Sequence, residues 1–341
     1  MAVIKPKPEK VVEFFLALLQ RELVIPNLVT RVADEFFTGA KDDTVTMRIP
    51  GLVAVGRDYE WRTRTADIEF DDIEGGEGIT LKLDTHSYSA TELTDEHMTL
   101  DEVDFANEVL LPQVLAVVNR FEAKTLAGFR GALVKNSLTF AAGDDPHLVA
   151  LEAKRLMDRE KVAPTGGRKF LVGSDIAAQF LASDRLSRAD SIGTDGANSA
   201  VRESVIGRLA GADVVESSSL GPAEGYYFHK TGIVLGSVAP KSPRGAVQSA
   251  RLSRNGFAVR WLQDYYANRL VDRSIVSSFI GVNDVRDERN PDGTLLTEAD
   301  AIPDPDGAGP GTATPAVVRR NVRIVKLTGA AGAIDYGSNV P

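Results

Sequence analysis

The sequence predicts an α+β chain, and three observations predict it: period-two apolar alternation in several separated stretches, one long amphipathic helical stretch, and a helix–strand–helix succession mid-chain. With 341 residues, 43% hydrophobic and 26% charged, the chain has enough apolar material for a substantial core and is not disordered as a whole. That length suits two domains, or one large fold with insertions.

Residues Glu9 to Leu23 read as an amphipathic helix, with Val11, Val12, Phe15, Leu19 and Leu23 at helical spacing. The preceding Lys5-Pro6-Lys7-Pro8 cannot be helix interior, so the chain opens as an extended basic arm. Such a helix has too little chain around it for its own core and must dock on something else. The run Val11 to Leu19 is interrupted by Glu13 and is far short of the ~20 residues that span a bilayer. No small-residue cleavage site follows it, so it is not read as a signal peptide, and the mature chain is expected to begin near Met1. No membrane association is expected.

From Asp43 the period changes. Val45, Met47 and Ile49 alternate with polar residues up to Pro50-Gly51, which marks a half-buried strand. Further alternations run through Ile68 and Phe70 and through Ile79, Leu81 and Leu83, with Glu74-Gly75-Gly76-Glu77-Gly78 between them as a turn. A long hairpin from about Arg57 to His86 is therefore predicted. Arg57, Arg62 and Arg64 face Asp58, Glu60, Asp67, Glu69, Asp71, Asp72, Glu74 and Glu77, three positive against eight negative charges. A two-stranded ribbon is only marginally stable alone. Two readings stand: a solvated edge ribbon protected by its charge, or an arm stabilised by lying on a neighbouring subunit.

Asp101 or Asp104 would cap a long helix to about Val134, with Leu110, Val114, Val117, Phe121, Phe129 and Leu133 on one face. Pro112 either kinks this helix or sits in the first turn of a restarted one. A second helix runs from Pro146 to about Val162, stopped by Pro164-Thr165-Gly166-Gly167. A short buried strand, Phe170 to Gly173, and a helix, Ile176 to Leu181, complete an α/β unit from about Asp144 to Tyr227. Strand patterns then return over Gly232 to Ser237, Ala246 to Leu252, Phe257 to Asp264 and Arg273 to Ile280. Their sheet must be completed by segments far away in sequence. Beyond Val282 the chain is turn-rich and acidic through Asn290 to Gly293 and Pro303 to Pro315. A β-like run, Ala316 to Leu327, follows with Arg319, Arg320, Arg323 and Lys326.

The search for catalytic chemistry finds no anchor. With no cysteine there are no disulfides, thiolate nucleophiles or sulfur-based zinc sites. No Gly-Lys pair exists for a phosphate-binding loop, and no Gly-x-Ser-x-Gly elbow occurs. Gly307, Gly309 and Gly311 sit among prolines with no preceding strand, so they are not a dinucleotide fingerprint. His86, His97, His147 and His229 are scattered without metal-ligand spacing, and Asp304, Asp306 and Gly307 lack the carboxylate that completes a calcium loop. The pairs Asp71-Asp72 and Asp144-Asp145 are neighbours on turns, whereas acid/base carboxylates oppose each other across a cleft. No catalytic residue, metal or cofactor is predicted, and the chain is not read as an enzyme. Arm and hairpin cannot bury enough surface alone, which points to a self-associating structural protein.

Two runs near the start, Arg21-Glu22-Leu23-Val24-Ile25-Pro26-Asn27-Leu28-Val29-Thr30 and Gly39-Ala40-Lys41-Asp42-Asp43-Thr44-Val45, resemble the opening of tailed-bacteriophage major capsid proteins. They resemble especially the podovirus-type coat family found in phages of actinobacteria. Gly207-Arg208-Leu209-Ala210-Gly211-Ala212-Asp213-Val214-Val215-Glu216-Ser217 is similar to the segment closing that family's axial domain. Phe257 to Tyr265, with Asp272-Arg273-Ser274, is similar to its late peripheral-domain strands.

The resemblance covers residues 8 to 283 in order, and it implies the Hong Kong 97-type capsid fold. On that basis the N-arm is 1–40 and the extended loop 51–84. The peripheral domain is 85–143 with 230–283, including a spine helix over 103–136. The axial domain is 144–229, and 284–341 is an extension of unknown role, for which a decoration or inter-capsomer strap is one idea. The implied function is a structural shell of hexamers and pentamers, an icosahedral head assembled in the bacterial host cytoplasm around double-stranded DNA. Arg57, Tyr59, Trp61, Arg62, Arg64, Asp67, Glu69, Asp71 and Asp72 would form the loop's interface, and Lys5, Lys7, Phe15, Leu19 and Leu23 the arm's. Because the resemblance begins almost at Met1, a separate scaffolding protein is expected, and a portal protein is the other implied partner.

Some relatives cross-link an extended-loop lysine to a peripheral asparagine. No lysine lies between Lys41 and Lys82 here, so no isopeptide bond is predicted although Asn255 and Asn268 are present. An encapsulin-like compartment around cargo enzymes is the alternative on the same fold, and a soluble α/β enzyme with an unrecognised site is a third reading. The net charge of −9 argues against sequence-specific DNA reading. It is concentrated in the hairpin and in Asp284 to Pro310, which carries eight acidic residues against two arginines. Elsewhere the chain is nearly neutral, which leaves room for non-specific enclosure of DNA.

Overall fold

A computed structural model describes residues 9, 12–13, 16–18, 23–32, 44–48, 62, 78–94, 109–140, 144–164, 166–182, 207–288 and 319–329. In chain order the first elements are α1 (Ile25–Leu28), β1 (Thr30–Val32), β2 (Thr44–Arg48), β3 (Gly78–Lys82), β4 (Thr85–Thr94) and α2 (Leu111–Gly131). Then come β5 (Val134–Phe140), α3 (Pro146–Arg159), β6 (Arg168–Val172), α4 (Ser174–Ala182), β7 (Arg208–Leu209), β8 (Ala212–Glu216) and β9 (Glu224–His229). The remaining strands are β10 (Ile233–Val238), β11 (Gln248–Arg254), β12 (Phe257–Tyr266), β13 (Val271–Asp284) and β14 (Asn321–Gly329).

The first sheet is organised around β13. Over Val271 to Ser277 it pairs with β12, and over Val271 to Ile280 with β4, so these two lie on its opposite edges. β10 pairs with Phe279 to Asp284, where β4 already holds the other edge at Phe279 and Ile280. β10 and β12 therefore follow one another along the same edge of β13. β11 extends the sheet beyond β12, and the short β1 adds in parallel to β10. The β11–β12 hairpin turns at Asn255-Gly256, both in the left-handed region at φ 53° and 77°, as a two-residue turn of this hand requires.

Burial alternates along β4: Ser87 and Leu93 point inward, while His86, Tyr88, Ala90 and Glu92 are exposed. On the inner face Val259, Trp261, Val276 and Ile280 pack against α2, whose Val114, Val117, Val118, Phe121, Leu126 and Phe129 recur at helical spacing. With 21 residues, α2 is about 30 Å long. Pro112 lies in its first turn, the second of the two possibilities its position allowed. Gln113 fastens that turn to the sheet, donating to Ser274 O at 2.8 Å and accepting from Ser274 Oγ, which itself accepts from Trp261 Nε1.

Two expectations for this helix need correction. It ends at Gly131 instead of continuing to Val134 or 136, because the next residues enter the second sheet: β5 pairs in parallel with β14, and Asn321 N donates to Leu133 O. Leu133 is accordingly exposed and off the helix's apolar face. The candidate caps Asp101 and Asp104 lie outside the described residues. Of the N-terminal helix, Val12 and Leu16 are buried one turn apart, and with Leu23 they join the core formed by α2 and the first sheet.

The second sheet has the order β5-β14-β9-β6-β8-β7. Ala150, Ala153 and Met157 of α3 and Ile176, Ala177 and Phe180 of α4 cover Phe170, Val172, Tyr227, Val325 and Leu327. Asp145 caps α3 by accepting from His147 N at 3.0 Å, and the helix stops at Arg159, short of Val162, with Lys161 turned left-handed at φ 56°. β14 is paired on both edges, by β5 and β9. Residues 321–329 are therefore an interior strand and not a surface strap.

The predicted hairpin from about Arg57 to His86 falls mostly on residues outside the described set, and of its two strands the second is described as β3. β3 pairs with β2, from Thr44 opposite Lys82 to Arg48 opposite Gly78. The intervening residues that were to supply its partner lie outside the described set, apart from an exposed Arg62. This ribbon crosses the outer face of the first sheet where Gly281 has no side chain; a Cβ there would overlap the Lys82 carbonyl oxygen. Gly281→Ala should therefore destabilise the subunit by about 2 kcal/mol, read as a lowered urea midpoint. An unchanged midpoint would remove the close crossing.

Candidate functional site: subunit interaction surfaces

Most of the predicted interface residues, Lys5, Lys7, Phe15, Leu19, Arg57, Tyr59, Trp61, Arg64, Asp67, Glu69, Asp71 and Asp72, lie outside the described residues. Leu23 is buried in its own chain's core and Arg62 is exposed. What the structure shows is how the described elements are fastened to one another.

The arm is anchored at Glu122, in the middle of α2. This carboxylate is buried, and among the described residues no cation pairs with it. It accepts from Val24 N at 2.7 Å, Ile25 N at 3.2 Å and Ser219 Oγ at 2.8 Å. One side chain thereby ties the start of α1, the long helix and the loop before β9 together. Sequence reading passed over Glu122 because its charge is typical of a helix surface. The available signal was its position one residue after the core residue Phe121, on the apolar side of the helix.

A second junction joins the end of α2 to the second sheet. Arg130 reaches Glu224 with Nε and Nη2, the shorter contact 2.7 Å, and Tyr226 Oη donates to the same carboxylate. Burial would raise the Glu224 carboxyl, but hydrogen bonds from Arg130, Tyr226 and Gly221 N, with the Arg130 charge, outweigh it and lower it from 4.5 to about 2. A third junction holds the place where the chain leaves β13 and re-enters at β14. Arg320 forks onto Glu288 with both contacts at 2.9 Å, and Arg323 Nε meets Asp287 at 2.6 Å. Asn321 Nδ2 donates to Gly232 O at 2.8 Å.

The outer face of the first sheet carries exposed side chains of several strands. It carries Tyr88 at 68% exposure, a His86–Phe279 ring contact at 4.4 Å, and the Arg273–Asp264 ion pair at 2.6 Å beside Tyr266. Among the described residues, no group of three His, Cys, Asp or Glu is placed to hold a metal. No described helix is long and apolar enough to cross a membrane.

These surfaces belong to a known architecture. The sequence matches no protein-family model and no curated protein. Among solved structures, the chain is similar to one from Mycobacterium phage Che8, with 17% identity, a TM-score of 0.55, and 90% of this chain and 91% of that one covered. It is also similar to the capsid structure of cyanophage P-SCSP1u, with 11% identity, a TM-score of 0.56, and 91% and 89% covered. The mature capsid of bacteriophage PhiM1 aligns with 12% identity, a TM-score of 0.55, and 92% and 88% covered. The chain thus has the α+β fold of phage capsid subunits, the Hong Kong 97 type.

The Glu224 junction gives a pH test. A carboxyl lowered in the folded state contributes stability that is complete above 4.5 and is lost as pH falls towards 2. Urea midpoints should decline across that window, and Glu224→Gln should be less stable at neutral pH with a shallower decline. Parallel profiles for both proteins would remove the junction's role.

Proposed function

We propose that this chain is the major capsid protein of a tailed phage, self-assembling into pentamers and hexamers of an icosahedral head around double-stranded DNA. The observation that carries the reading is fold identity over about nine-tenths of both chains with the capsid structures of P-SCSP1u and PhiM1. The first sheet with α2 corresponds to the peripheral unit and the second sheet to the axial unit. Residues 1–40 act as the arm and 51–84 as the loop laid on a neighbour. The mechanism is mechanical: cover arm, loop and sheet faces with neighbouring copies, and resist the pressure of the packaged genome. Surface ion pairs contribute only ~0–1 kcal/mol each, so Tyr59 and Trp61 supply more of the loop's binding energy than its charges, which fix register. A separate scaffolding protein and a portal protein complete assembly in the host cytoplasm, and DNA is held without sequence preference.

A second reading has a specific basis: the virus-like particle from Pyrococcus furiosus aligns with 9% identity, a TM-score of 0.51, and 93% of this chain and 98% of that one covered. A shell enclosing protein cargo would use the same subunit, and the contents of purified particles separate the two.

Size-exclusion chromatography with negative-stain microscopy should give closed particles of tens of nanometres; a monomer at every concentration defeats both shell readings. Deleting Asp58 to Gly78 should leave a soluble subunit that forms no closed shells, and normal particles from it would defeat the role given to the loop. Purified shells should run as monomers on a denaturing gel, because no lysine lies between Lys41 and Lys82. Higher bands from the intact protein would mean a covalent cross-link.

A further inference from the structure

Between β9 of the second sheet and β10 of the first, the chain runs through three residues, Lys230–Gly232, and each is tied to a different part of the fold. Lys230 N donates to Gly167 O at 2.8 Å, and Lys230 O accepts from Thr30 Oγ1 at 3.0 Å. Thr231 Oγ1 accepts from Arg323 Nη1 at 2.5 Å. Gly232 O accepts from Val285 N at 3.0 Å and from Asn321 Nδ2 at 2.8 Å. This turn is the joint at which β1, the residue before β6, the exit from β13 and the start of β14 meet.

His229, the last residue of β9, holds the joint from within. Its Nδ1 accepts from Thr231 N at 3.4 Å and lies 2.8 Å from Thr231 Oγ1. A backbone N–H can only donate, so Nδ1 is an acceptor and the neutral ring carries its proton on Nε2. The Nε2 side has no slack, since a Cβ on Gly167 would lie 2.6 Å from it. Among the described residues, the charges that face the ring are positive: Arg168 is its cross-strand partner on β6, Arg323 comes from β14, and Lys230 is next in the chain. The acids that reach those arginines are already engaged, Asp158 of α3 with Arg168 and Asp287 with Arg323, both at 2.6 Å. Among the described residues Arg168 Nη1 is itself buried without an acceptor. Burial, and then the charges of Arg323, Lys230 and Arg168, hold the imidazole below its ordinary 6.5.

A proton arriving at Nδ1 turns the acceptor into a donor, which then opposes the Thr231 N–H and adds a charge to a site already lined with cations. We propose that His229 is the pH-sensitive latch of this joint: the neutral ring holds the turn Lys230–Gly232 closed, and protonation releases Thr231 and lets the two sheets change their relative setting while each stays folded. The latch belongs to the single chain and goes beyond the shell reading, so failure of either leaves the other standing. Because the imidazole is lowered in the folded chain, the closed joint is complete above 6.5 and is lost as pH falls through 6.5 towards the lowered value. That loss begins well above 4.5, where the Glu224 junction starts to weaken.

The chain has no cysteine, so spin labels at Ser218→Cys, after β8, and Ser253→Cys, on β11, are unique, and both positions are exposed. Labelled chains are diluted among unlabelled ones so that only distances within one chain are read. The double variant should give one label-to-label distance at about pH 7.5 and a second at about pH 5, on either side of the ordinary imidazole range. His229→Asn places an oxygen where Nδ1 sits and cannot take the proton, so it should keep the single distance at both values. His86→Asn, which removes the histidine of the outer face, should respond like the unaltered background. An unchanged distance in acid, the same change in His229→Asn, or its loss in His86→Asn overturns the proposal. Should His229→Asn not fold, hydrogen–deuterium exchange at the histidine C2 position, read by mass spectrometry on the unaltered chain, decides the matter. His229 is expected to titrate below 6.5 in step with the distance change, and titration at or above 6.5 overturns the latch.

Discussion

A carboxylate in the middle of a buried helix face has to be satisfied by hydrogen bonds, because leaving it unpaired in an apolar surround costs several kcal/mol. Glu122 meets this constraint with donors drawn from two distant segments, the backbone at Val24 and Ile25 and the hydroxyl of Ser219. Hydrogen bonds to a charged acceptor are worth roughly 1.5–3 kcal/mol each, so neither segment can drift away cheaply. The path of the arm and the approach of the second sheet to α2 are both set by this one side chain. Tyr226 and Phe228 of that sheet then reach the core shared with Phe129.

The other junctions follow the same logic with charge added. Arg130 with Glu224 joins the end of α2 to the second sheet. Arg320 with Glu288 and Arg323 with Asp287 join the exit from the first sheet to the return strand of the second. Each of these carboxylates, buried at Asp287 and Glu288 and half-buried at Glu224, is met by an arginine, so these pairs specify which segments meet more than they add stability. The two sheets are thereby fastened to one another along the second half of one long helix, from Glu122 to the residues just past Gly131.

The outer face is built differently. There the cations Arg251 and Arg260 are set side by side, and among the described residues neither is paired with an acid. Other exterior charges on that face are matched within the chain, as Arg273 is by Asp264. Much of the acidic balance of the sequence lies in residues 57–78 and 284–310.

Local pattern was enough for a large part of the fold. The alternations of Gly232–Ser237, Phe257–Asp264 and Arg273–Ile280, the apolar stripe from Val114 to Phe129, and the α3–β6–α4 succession each record burial on one face, and burial is written in side-chain chemistry. β4 was invisible to that reading because its inward residues include the polar Ser87, Ser89 and Thr91, of which Thr91 accepts from Gln113 Nε2 only in the assembled sheet. Glu122 was unreadable as a junction for the same reason: its donors lie about a hundred positions away on either side. The tertiary structure alone decided that β14 returns to the middle of the second sheet, that β3 pairs with β2, and that two arginines face each other on β11 and β12. Pairing and register depend on which distant segments share an edge, and periodicity along one segment carries no information about its partner.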